Sequence, residues 1–276
     1  MDIEQELLNP VIERIKKDRD WLVEKLFSSL DEIEETKKKY FPDTPLYEII
    51  YIQKPGKPNP NLIEYSKDII EVVKPCMLES YGLEHYNIPY PKIKLSNFII
   101  SSYKIPSETI FLPKNGYIRI SDLPHEFGHH LAKHLYLMYF GLSSQHLDLF
   151  LDEATAEATS LYCLKKVNDN KIYPRNIIDV NERELLHLSV FIALNFDDNN
   201  IDLIRLLNDL KDKIIKEVDE ELGEYLSSRI NDPEFYFSPY AIGGVVVTYL
   251  MEHIDNRVIG DLLKGNFENI LKEIKA

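Results

Sequence analysis

After Ser121 nothing in this 276-residue chain reads as a β-strand. From there to the C-terminus apolar residues recur at three- and four-residue intervals, which predicts helices at roughly 122–139, 148–167, 181–195, 201–230, 240–254 and 257–274. The β-branched and aromatic runs are confined to 92–120: "KIKLSNFIISSYK", "ETIFLP" and "GYIRIS", separated by Pro, Ser, Asn and Gly. "PKNG" between the last two reads as a hairpin turn. The expected fold is therefore α+β and predominantly α-helical. A small, mostly antiparallel sheet precedes the helix at 122, and the C-terminal half is all helical.

Upstream, Leu7, Leu8, Val11, Ile12, Ile15, Trp21, Leu22, Leu26 and Leu30 keep helical spacing over residues 3–39, and "FPDTP" ends that unit. "QKPGKPNPN", 53–61, reads as a linker or surface loop, and 62–80 is helical again, closed by Gly82. The expected divisions are a helical segment at 1–52, a unit at 53–140 with the sheet and the helix after it, and a helical unit at 141–276.

Composition narrows the class. A hydrophobic content of 44% is ample for a core, and a net charge of -14 argues against nucleic acid as a partner. The acidic N-terminus "MDIEQELLNP" lacks a secretory pattern, and "AIGGVVVTYLM" is too short to span a bilayer. Cys76 and Cys163 allow one disulfide, but two free thiols in a reducing compartment are the expectation. A cytoplasmic protein with no membrane association is the simplest expectation.

Chemistry concentrates in "RISDLPHEFGHHLAKHL", 119–135. His125 and His129 are four apart, so on a helix they share one face and both reach one tetrahedral Zn²⁺. Glu126 is turned about 100° from His125, a poor ligand position but a good one for holding water beside the metal. The next helix carries "LFLDEATAEATSLYCL", in which Glu153 and Glu157 are again four apart. A catalytic zinc needs a third protein ligand and an open position. Glu153 can supply the ligand, and Glu157 can accept the spare N–H of a ligating histidine. Surrounding alanines and threonines, where a solvated face would carry lysines, favour this over surface glutamates.

"HEFGH" followed by "DEATAE" resembles the gluzincin zinc metallopeptidases, the group of thermolysin-like and aminopeptidase-N-like enzymes. The resemblance covers roughly 98–163. It implies a zincin-like catalytic domain with upper (53–140) and lower (141–276) subdomains and one Zn²⁺ per chain. It also implies His125, His129 and Glu153 as ligands, Glu126 as general base and Glu157 as the residue orienting a histidine. Asp152 departs from the Asn that many members carry before the third ligand. "SPYAIGGVVVTYL", 238–250, is similar to a tyrosine-x-x-glycine helix of several gluzincins, which makes Tyr240 the candidate oxyanion donor. An ordinary buried apolar helix fits that stretch equally, and His187 is the rival donor.

Other ligand sets fit the sequence less well. A metzincin third histidine would fall at 135, which is Leu, and Cys76 lacks the local motif of a deformylase. His146, seventeen residues after His129, is the serious rival, as in SprT-like metalloproteases. His130 and His134 lie on other faces of the helix and read as structural.

The expected activity is peptide-bond hydrolysis by metal-activated water with Glu126 as base, on a peptide or protein substrate. "ETIFLP" or "NFIISSYK" could pair with an extended substrate. Aminopeptidase-N-like enzymes carry Gly-x-Met-Glu-Asn before the zinc motif. Here Glu108 is the only acid between 92 and 121, so an endo- or oligopeptidase is favoured over an aminopeptidase. A non-catalytic zinc-binding scaffold, with the metal fully enclosed, is the remaining alternative.

Overall fold

A computed structural model describes residues 4–40, 42–43, 61–98, 100–114, 120–141, 148–169, 182–196, 201–232 and 239–275. A π-helical turn, Glu4–Leu8, leads into α1 (Asn9–Lys17) and α2 (Arg19–Tyr40). After α3 (Leu62–Ser80) come β1 (Lys92–Ser96), β2 (Ser102–Lys104) and β3 (Thr109–Pro113). Helices follow: α4 (Asp122–Phe140), α5 (Leu149–Asp169), α6 (Glu182–Asn195), α7 (Ile201–Lys213) and α8 (Glu220–Asn231). The chain closes with α9 (Gly244–His253), α10 (Val258–Lys264) and α11 (Phe267–Lys275).

The fold is thus α+β and predominantly helical, with a small sheet ahead of α4, as the hydrophobic spacing predicts. The sheet differs from expectation in one respect. Its order is β1-β3-β2, with β1 parallel to β3 (Ile93 opposite Ile110) and β2 antiparallel to it (Tyr103 opposite Ile110). It is mixed because β3 enters between the two earlier strands. Strand propensity marks the segments but does not say which two become neighbours. The "PKNG" turn and most of "GYIRIS" fall at 113–119, largely outside the described residues.

Helix ends follow local chemistry. Gly82 (φ +67°) follows α3, and Gly141 (φ +62°) caps α4 with its N–H on the Leu137 carbonyl. Glycine takes this left-handed backbone without Cβ strain. The predicted helix at 201–230 is interrupted by a π-helical turn, Ile214–Val218, and by Asp219, whose carboxylate caps α8 by accepting the Leu222 N–H. A second π-helical turn, Pro239–Gly243, opens α9.

Buried apolar side chains form one continuous cluster that includes Leu22, Leu26, Leu30 and Ile33 of α2 and Val190, Phe191 and Ile192 of α6. Polar contacts also join α2 to α6. Lys25 pairs with Glu184 at 3.2 Å and with Glu252, and Ser29 donates to Glu184 at 3.0 Å. At the other side of the core a disulfide joins Cys76 of α3 to Cys163 of α5. This corrects the free-thiol expectation. Two cysteines 87 residues apart give no sign in sequence that α3 will pack on α5. Among the described residues, no helix is long and apolar enough to cross a membrane.

Candidate metal centre

The site is built where α4 crosses α5. A Cβ on Gly128 would lie 2.9 Å from the Ala156 Cα and 3.0 Å from the Tyr81 hydroxyl, so only glycine allows this approach. The crossing brings the ligand face of "HEFGH" against the acidic face of "DEATAE".

His125, His129 and Glu153 together can hold a metal ion: their ligand atoms lie within 4.8 Å of one another. Nε2 of His125 is 3.1 Å from Nε2 of His129 and 3.1 Å from Oε2 of Glu153. Nε2 of His129 is 3.6 Å from the same oxygen. Behind the rings, Nδ1 of His125 is 3.0 Å from Glu157 Oε2, and Nδ1 of His129 is 2.9 Å from Asp152 Oδ2. Neither approach meets the alignment of a hydrogen bond, so each carboxylate oxygen lies to one side of the N–H direction.

These contacts assign the tautomers. A bare nitrogen 3 Å from a carboxylate oxygen would be repelled, so Nδ1 carries the hydrogen on both rings. Neutral rings then aim two Nε2 lone pairs at each other and at a carboxylate oxygen. Three electron-rich atoms converge in a part-buried place, and only a positive charge among them makes the arrangement favourable. The donor set therefore fits a cation.

The electrostatics agree. Burial opposes charging His125, but Glu153 and Glu157 outweigh it and lift the imidazole to about 9. Burial likewise opposes charging His129, which Asp152 and Glu153 nevertheless raise well above its ordinary value. Burial would push both glutamates up. Once protonated at Nε2, His125 and His129 pull Glu153 well below the carboxylate range, and Arg183 and His125 do the same for Glu157. A pocket that draws protons so strongly onto its imidazoles draws a metal cation for the same reason.

Glu126 is 7% exposed, and among the described residues none hydrogen-bonds its carboxylate. Burial raises its proton affinity, with His125 and His129 pulling the other way. Tyr240, on the π-helical turn before α9, donates to Glu153 Oε2 at 2.9 Å. A Cβ at Gly243 would stand 2.6 Å from the Ala154 Cβ, so this glycine lets the tyrosine-bearing turn lie against α5. In this arrangement the hydroxyl steadies the Glu153 carboxylate, a contact that the oxyanion assignment does not anticipate.

Two partners escape the sequence reading. In sequence Asp152 stands out only as a departure from the gluzincin pattern, yet it backs His129. Arg183 of α6 donates to Glu157 Oε2 at 2.5 Å and to Asp122 at 3.1 Å and Ser121 at 3.2 Å, joining α5 to the start of α4. Its signal was available: Arg183 and His187 in "RELLH" repeat the four-residue spacing of the other two helices.

Other candidates fall away from the centre. His130 accepts from the Tyr103 hydroxyl at 2.9 Å and donates to the Pro89 carbonyl at 2.8 Å, and burial lowers it to about 4, so it is a neutral structural group. His134 lies 3.7 Å from Glu108. Glu108 itself takes a left-handed backbone (φ 49°) and is held by Lys133 at 2.6 Å, so its carboxylate is already engaged. "ETIFLP" becomes β3, paired on both sides and unable to add a strand, whereas β2 lies at an edge of the sheet among the described residues. His146 lies outside the described residues.

The chain matches no known protein family, no curated protein and no solved structure.

Proposed function

We propose that this chain is a zinc-dependent metallopeptidase of the gluzincin kind, with His125, His129 and Glu153 as ligands. One observation carries the reading. Zinc bonds of about 2.0–2.2 Å place donors about 3.3 Å apart along the edges of a tetrahedron. The three donor separations here are 3.1, 3.1 and 3.6 Å. They form one tetrahedral face and leave the fourth position to water and substrate. Glu126, next to the first ligand, gives an open site a reason that an enclosed structural zinc would lack.

A zinc ion held there supplies Lewis acidity and lowers the pKa of the attacking water. The chain does the rest. Glu126 takes a proton from the water and returns it to the leaving amine, a role suited to a buried carboxylate of raised proton affinity. Asp152 and Glu157 fix the two rings, Arg183 balances the charge of Glu157, and Tyr240 steadies Glu153. The peptide as substrate rests on the resemblance of "HEFGH" and "DEATAE" to the family.

The test is bound metal per chain in wild type, Glu153→Ala and His146→Ala. Cleavage of casein and of quenched peptides is followed on the same samples and on Glu126→Gln. One zinc in wild type, its loss in Glu153→Ala, and a Glu126→Gln protein that keeps metal without cleaving are the expected results. Loss of metal in His146→Ala with retention in Glu153→Ala would transfer the third ligand to His146.

A further inference from the structure

Glu157 is a buried carboxylate whose two oxygens are served unequally. Oε2 meets His125 at 3.0 Å and Arg183 at 2.5 Å. Oε1 is equally enclosed and has no aligned hydrogen bond among the described residues. A buried carboxylate oxygen left without a donor is costly, so a group within reach of it calls for a reason. That group is His187, whose Nε2 stands 3.5 Å from Oε1. It lies one helical turn beyond Arg183, so α6 presents both side chains to the same carboxylate.

His187 is 3% exposed. The cavity it lines, with Trp21, Lys25, Glu184 and Gly244 among its walls, measures about 10 Å³. That is room for one water and for no part of a substrate. A donor to a substrate oxyanion would have to face an open cleft. His187 faces Glu157 on one side and the interior on the other.

We propose that His187 is a positioning residue of the metal centre. Its Nε2–H serves Oε1 of Glu157 and fixes that carboxylate. Through the carboxylate it fixes the His125 ring, so that Nε2 is presented to the metal. The inference rests on the metal-site reading above. It removes His187 from the candidate oxyanion donors and makes α6 the third helix of the centre.

The test is zinc affinity, measured by competition with a chromophoric chelator, for wild type, His187→Leu and His187→Gln. Urea unfolding is recorded on the same proteins. His187→Leu is expected to bind zinc about 10- to 100-fold more weakly, the usual cost of losing an outer-shell partner. His187→Gln, whose amide N–H reaches the same oxygen, is expected to recover most of that loss. A folded His187→Leu protein with wild-type affinity overturns the proposal. So does a glutamine variant that loses as much affinity as leucine in step with its unfolding midpoint, since that marks packing alone. Unchanged affinity with turnover reduced about 100-fold would mark a donor to substrate instead. A wild type that binds no zinc overturns the metal-site reading itself, a result separate from any difference among the variants.

Discussion

Asp152 Oδ2 lies 2.9 Å from Nδ1 of His129, matching the relation of Glu157 to His125 at 3.0 Å. Each candidate ligand ring is thus backed by its own carboxylate, and both carboxylates belong to α5. Asp152→Ala is expected to weaken zinc binding by about 10- to 100-fold. Asp152→Asn, whose uncharged amide oxygen still faces Nδ1, is expected to fall between alanine and wild type. Chelator competition measures both, and equal affinities for all three proteins would deny Asp152 this role.

The α4–α5 crossing depends on Gly128. Alanine there gains helix propensity of about 1 kcal/mol but meets Ala156 and the Tyr81 hydroxyl at 3 Å or less. Overpacking of this kind costs about 1–3 kcal/mol. Gly128→Ala is expected to lower the urea midpoint and to weaken zinc binding together. Loss of stability with full zinc affinity would mean that the separation of the two helices does not set the site.

Glu184 gives an acid-side prediction. Burial would raise its carboxyl, but Lys25, Lys165 and Ser29 outweigh burial and hold it below its ordinary value. A depressed folded pKa contributes stability above the unfolded value of about 4.3. That contribution is lost as pH falls through the folded value. Glu184→Gln is expected to cost about 1–3 kcal/mol at pH 7. Its stability should then fall less steeply than wild type between pH 5 and 3, read as urea midpoints across that range. Parallel acid limbs would show that the Lys25–Glu184 pair contributes nothing.

The disulfide makes a simple demand. Denatured, unreduced chain should show no free thiol, and the Cys76→Ala/Cys163→Ala double variant should lose about 2–5 kcal/mol of stability. A phosphine reductant should lower the unfolding midpoint of wild type and leave the double variant unmoved. Two titratable thiols in the unreduced chain would restore the free-thiol expectation.

Periodicity made most helices legible, because burial of one face dictates spacing whatever the partner is. α3 matches its predicted span of 62–80, and α4 and α6 differ by a single residue at one end. The pairing of His125 with His129 on one face was legible for the same reason: four-residue spacing fixes a shared face before any tertiary contact forms. What escaped depends on which faces meet. Asp152 precedes Glu153 by one residue, about 100° around the helix, and only the way α4 crosses α5 turns both toward His129. The Cys76–Cys163 bond and the order β1-β3-β2 are likewise facts of assembly, with no local signature.

The two rings, the Glu153 carboxylate and both backing carboxylates all come from α4 and α5, neighbours in sequence between residues 125 and 157. A cation bound there joins short-range contacts, so its binding free energy adds to the docking of this one helical hairpin before it adds to the rest of the molecule. Stripping the cation should therefore loosen the hairpin first, while the α2–α6 side of the shared core, with its buried leucines and isoleucines and the Lys25–Glu184 pair, keeps its protection against amide exchange.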